Sequence, residues 1–146
     1  MDKVTLEQKY IGFMKKNNIH SLKNTNQKYF YMPYKSDKKN IRVYIFANII
    51  DEMNTIKFGF QGILKVDKRN LDETREHLLD LNSRLTTGAL SLKKNSNVVE
   101  YSINYTVEDD EDIDIERYNR IIVFCMNLYF DLYDRKIIER ENFVDE

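Results

Sequence analysis

Two histidines, one cysteine and four glycines are all that this chain of 146 residues offers to the commonest catalytic and phosphate-binding motifs. His20 follows an expected first helix beside Asn18, a solvated setting. His77 lies off the leucine seam of an expected second helix, with Glu73 four residues before it and Asp80 three after. Acid–base or nucleophilic work needs titratable groups that converge on one pocket, and these two lie in different elements. Without a histidine pair four residues apart or a Cys/His cluster, no metal site is expected. Gly12, Gly59, Gly62 and Gly88 make no phosphate-cradling loop, and no lysine follows a glycine-rich turn, so no nucleotide and no cofactor is expected. Cys125, between Phe124 and Met126 on an apolar helix face, reads as a small buried hydrophobe. The acidic run Glu108–Asp112 lacks the glycine and the spaced glutamate of a calcium loop and reads as a solvated loop. No catalytic residue is assigned, and the chain reads as a binding module instead of an enzyme.

What remains is recognition chemistry. From Lys28 to Phe46 aromatic residues interleave with cations: Tyr29, Tyr31, Tyr34, Tyr44 and Phe46 with Lys28, Lys35, Lys38, Lys39 and Arg42. Tyr29, Tyr31, Tyr44 and Phe46, with Arg42 and Lys57 as neighbouring cations, form the expected partner-binding set. Tyrosine and arginine give large contact area and oriented donors at recognition sites. The same pattern fits a half-exposed sheet whose lysines guard an edge against aggregation. It also fits a face that stacks bases and grips phosphates, so single-stranded nucleic acid is the alternative ligand to a protein segment.

These residues need elements to hold them. Leu6, Tyr10, Phe13 and Met14 share one helical face, which predicts a helix over residues 4–16 that ends at Asn17-Asn18. Ser21 to Gln27 reads as a loop. Three strands follow, Lys28–Tyr34, Ile41–Ile49 and a run from Ile56 to Val66, joined by polar turns into an antiparallel meander. On the middle strand Ile41, Val43, Ile45 and Ala47 alternate with Arg42, Tyr44, Phe46 and Asn48. Asn70 and Glu73 read as the capping pair of a second helix with a narrow seam of Leu71, Leu78, Leu81 and Leu85. Strands at Ala89–Lys93 and Val98–Val107 follow, with Asn95-Ser96-Asn97 as their hairpin turn. A third helix is expected from Ile113 or Ile115 to Ile138, and a charged, fraying tail after about residue 139. Leu78, Leu81, Val99, Tyr101, Ile103, Ile121, Ile122 and Cys125 are the expected core.

Hydrophobic residues make up 42% and charged residues 32%, which predicts an ordered globular chain. A lone cysteine excludes an internal disulfide, the charged N-terminus lacks a signal-peptide core, and no apolar run approaches the ~20 residues of a membrane span. A cytoplasmic location without membrane association is expected. Charge is uneven: residues 1–66 hold 12 basic and 5 acidic residues, residues 67–146 hold 11 and 19.

The order α-β-β-β-α-β-β-α predicts one α+β domain, with an antiparallel sheet and the helices packed mainly on one face. Leu78-Leu79-Asp80-Leu81-Asn82, then Gly88-Ala89-Leu90-Ser91-Leu92, then Val98-Val99-Glu100-Tyr101 resembles the YbjN and type III secretion chaperone-like family. In that family a helix ending in Leu-Asn leads through a glycine into a short strand, a turn and a longer strand. The resemblance covers residues 1–138 in topology and about 78–135 in sequence pattern. It implies a small homodimer that binds a segment of another protein, or a regulator. The basic first half departs from the acidic character of typical secretion chaperones. The narrow seam of helix 2, Leu71, Leu78 and Leu85, is the expected dimer interface.

Overall fold

Thr5 opens the first helix by exchanging two hydrogen bonds with Gln8, its hydroxyl accepting from the Gln8 N–H while the Gln8 side chain accepts from the Thr5 N–H. The helix, α1, runs over Leu6–Lys16, and Asn18 ends it at φ 55°, with the Ile19 N–H reaching back to the Met14 carbonyl. The computed structural model describes residues 4–24, 28–35, 42–60, 64–65, 71–92, 98–135 and 139–140.

After α1 come β1 (Leu22–Asn24), β2 (Tyr29–Lys35), β3 (Arg42–Ile50), a single 3-10 turn (Asp51–Met53) and β4 (Thr55–Phe60). Asn54 at φ 48° closes that turn in the left-handed conformation which asparagine tolerates. β5 (Leu64–Lys65), α2 (Leu71–Arg84), β6 (Ala89–Leu92), β7 (Val99–Thr106), α3 (Ile115–Asp134) and β8 (Glu139–Arg140) complete the order. The main sheet is six-stranded, β1-β2-β3-β4-β7-β6, and antiparallel throughout; β5 and β8 pair separately.

The α+β class, the element order and the one-sided helices match the expectation from the sequence. Three details differ. Leu22–Asn24, read as loop, is an edge strand: its backbone pairs with β2 although three residues carry no alternation to announce it. The third run is divided: β4 ends at Phe60, Leu64–Lys65 pairs with Glu139–Arg140, and Val66 lies outside the described residues. That pairing also gives a partner to the start of the tail expected to fray. Asn70, the turn at residues 95–97 and the expected helical residues 136–138 lie outside the described residues.

Paired residues project from the same side of a sheet. One side carries Phe30, Met32, Val43, Ile45, Phe58, Phe60 and Tyr101, all buried, and takes the helices. Tyr10 of α1 packs edge-on against Phe30 at 5.3 Å, Tyr118 of α3 against Phe58 at 5.7 Å, and Tyr129 against Phe60 at 5.5 Å. Leu78 and Leu81 of α2 close the same core at its β6 end, over Leu90. Seven of the eight expected core residues are buried; Ile103 is only half-buried. Rings dominate this core, so hydroxyls enter it: Tyr118 donates to the Met32 sulfur at 2.9 Å, Tyr10 to the same sulfur at 3.5 Å, and the Tyr34 hydroxyl lies 3.3 Å from that of Tyr118.

Candidate functional site on the helix-free sheet face

Val43 and Ile45 are fully buried beneath the helices, which turns Tyr44 and Phe46 of the same strand to the opposite side. Register then assembles the rest of that side. Tyr31 pairs with Phe46, Tyr29 with Asn48, Pro33 with Tyr44, and Lys35 with Arg42. Across the next ladder Asn48 faces Lys57, which faces Asn104 on β7. All six sequence-derived binding residues therefore belong to one face.

Their environments differ. Tyr29 stacks on Phe46 with ring centroids 5.3 Å apart and 15° between planes, and meets Tyr31 edge-on at 4.7 Å. Phe46 lies across Gly59, whose missing Cβ would approach its Cε2 to 3.0 Å. Covered in this way, Phe46 is 6% exposed and acts as the floor of the cluster. Tyr29, Tyr31, Tyr44 and Lys57 are half-buried, with surface left for a partner. Arg42 holds its register position opposite Lys35, and its side chain lies outside the described residues.

One residue of this patch escaped the sequence reading. Leu22 pairs with Tyr31, so it shares the face, and it is 64% exposed. Its signal is faint, a single leucine between serine and lysine in a polar stretch. On the other half of the face, over β4, β7 and β6, Thr55, Gly59, Ser91, Ser102 and Asn104 are small or polar and lie beside Lys57 and Glu100. The aromatic character is thus confined to the β1–β3 end.

The expected dimer seam is divided by the structure. Leu78 turns into the chain's own core, while Leu71 and Leu85 are half-buried. The α2 leucine that faces solvent is Leu79, at 70% exposure, beside a cleft of ≈ 270 Å³ lined by Arg75, Leu90 and Leu92 among others.

Other chemistry-bearing groups are dispersed. His20 is exposed, and His77 lies on the outer surface of α2 with Nε2 3.8 Å from Glu73 Oε1. Cys125 is fully buried, and burial pushes its thiol up to about 12. Backbone carbonyls of the acidic loop converge on a cation of the chain itself: Lys9 Nζ donates to Asp109 O at 2.9 Å, Glu111 O at 3.0 Å and Glu108 O at 3.5 Å. Among the described residues no group of three or more His, Cys, Asp or Glu is placed to hold a metal, and no helix is long and apolar enough to cross a membrane.

No family model and no curated protein matches the chain significantly. In three dimensions it is similar to the crystal structure of YbjN, a candidate transcription regulator from E. coli, with a TM-score of 0.66. The match covers 97% of this chain and 99% of that one, at 9% sequence identity. At such identity the likeness shows a common fold and nothing finer, and it leaves secretion chaperones untouched.

Proposed function

We propose that this chain is a non-enzymatic binding domain that holds an extended or helical segment of another protein on the helix-free face of its sheet, in a chaperone-like or regulatory role. The observation that carries the reading is the patch of Leu22, Tyr29, Tyr31, Tyr44 and Phe46 on a face with no helix among the described residues. Exposed apolar surface collected in one place marks interaction sites. Lys35 and Lys57 flank the rings and suit carboxylates on the partner.

Nucleic acid is the less fitting ligand. Stacking platforms need free ring faces, whereas Tyr29 and Phe46 stack on each other and Tyr31 is packed against Tyr29 in a T-shaped pair. A photo-crosslinking residue at position 31 or 44 should capture a protein partner in the native cell, and one at position 120, on the exposed side of α3, should not. Crosslinking to nucleic acid at 31 and 44, with a strong salt dependence, would replace the protein reading by the nucleic-acid one.

A homodimer accompanies this proposal. Its support is Leu79, a large apolar side chain directed away from the chain's own core on the outer surface of α2.

A further inference from the structure

In an antiparallel pair, alternate residues of a strand turn their N–H and C=O towards the partner, and those between turn them away. β6 is an outermost strand of the main sheet, bonded to β7 on one side and to no strand on the other among the described residues. Such an edge is a template for a further strand, which proteins block with charge, proline or a bulge. β1, at the other end, is only three residues long and carries Lys23. Ala89-Leu90-Ser91-Leu92 carries neither charge nor proline, so its protection has to come from another element.

That protection is Asn82, the asparagine of the Leu-Asn motif near the end of α2. Its Nδ2 donates to the Leu90 carbonyl at 2.8 Å, and its Oδ1 accepts from the Leu90 N–H at 2.8 Å. A carboxamide offers a donor and an acceptor side by side, as the edge of a neighbouring strand would. Leu78 and Leu81, buried one turn before and one residue before it, fix the helix that presents the amide.

We propose that Asn82 is an amide latch: it occupies the hydrogen-bonding position of the next strand and closes the β6 edge to strand addition, including by a second copy of this chain. The role is independent of the binding face proposed above, since the latch lies at the opposite end of the sheet from β1 and β2.

Two variants test it. N82A removes both hydrogen bonds. N82D keeps the volume and an acceptor for the Leu90 N–H but loses the donor to its carbonyl. Amide hydrogen exchange should rise at least ~10-fold at Leu90 in N82A, the factor that corresponds to one lost hydrogen bond, with Tyr101 on β7 little changed. In N82D an oxygen can still accept from the Leu90 N–H while the other is set against the Leu90 carbonyl, so exchange there should lie between the parent and N82A. Light scattering should show N82A growing in mass with concentration beyond the parent. The latch is overturned by unchanged Leu90 exchange in N82A, by an equal rise at Leu90 and Tyr101, or by a mass equal to the parent's at every concentration. If N82A does not fold, N82D decides alone, and Leu90 exchange and mass both equal to the parent's there overturn the latch.

Discussion

A Cβ at Gly59 would lie 1.8 Å from the carbonyl oxygen of Tyr101 and 3.0 Å from the Phe46 ring, whereas one at Gly12, on the exposed side of α1, would meet nothing within 4 Å. The same substitution should therefore have opposite signs. Gly59→Ala forces β4 from β7 and should cost about 3 kcal/mol or more, while Gly12→Ala should stabilise by about 1 kcal/mol through helix propensity. Urea midpoints read both, and a tolerated Gly59→Ala would remove the close approach of strands from this account. The sequence alone suggested bending or close packing at Gly59, but the atom it must avoid belongs to a strand over 40 residues away. Titration is also legible only in the fold. Burial raises Cys125 to about 12 and raises Tyr10, Tyr101 and Tyr118 as well. These groups ionise more readily in the unfolded chain, so the stability they protect is complete below about pH 9 and falls as pH rises from there towards 12. The loss should be on the order of 1 kcal/mol per pH unit for each group. Urea midpoints at pH 8 and pH 10.5 should show the decline, with a shallower one in Cys125→Ala; equal slopes would discharge Cys125 from any part in it.

Helices were the most readable elements because their apolar spacing coincides with their buried faces. Leu6, Tyr10, Phe13 and Met14 in α1, and Tyr118, Ile121, Ile122, Cys125, Leu128, Tyr129 and Leu132 in α3, are the buried residues of both helices. In α2 the expected core residues Leu78 and Leu81 are buried, and Thr74 joins them unannounced. The covered face takes this form because the helix leans on a short edge strand and its polar Thr74 is needed where the leucine spacing skips. Strands were legible where both faces had their own chemistry, as in β3, and illegible where pairing alone defines them, as in β1 and β8. The alternation of β7 failed at one residue, Ile103, which lies only half-buried beside fully buried neighbours. Helix 3 gives the element-scale prediction. Ile122→Ala removes side-chain volume from the sheet-facing stripe and should cost about 2–5 kcal/mol, and Val123→Ala, one residue on and 53% exposed, should change stability little. Similar melting temperatures for the two variants would mean that α3 presents another face to the sheet.

The chain's charge asymmetry acquires a direction only in the whole molecule. Strand order places β1 to β4, from the basic first half, at one end of the sheet and β7 and β6, from the acidic second half, at the other. Lys9 of the basic half joins the acidic loop through backbone carbonyls. Apolar surface offers a second route to association. At the β6 end the solvent-facing leucine is Leu79, flanked on α2 by Arg75, Glu76 and Ser83. A two-fold contact there would bring Leu79 against its own copy while Leu78 stays in the core, which preserves the seam idea with a different residue at its centre. Leu79→Glu should therefore leave the melting temperature close to the parent's, because the side chain supports no contact within the chain's core, and should place two carboxylates face to face in the dimer. Sedimentation at tens of micromolar should show a dimer for the parent and a monomer for Leu79→Glu. A monomeric parent would end the homodimer proposal, and a dimeric variant would move the interface away from α2. Neither result touches the helix-free face, since Tyr31 and Tyr44 lie on strands at the far end of the same sheet, and a monomer could present them equally well.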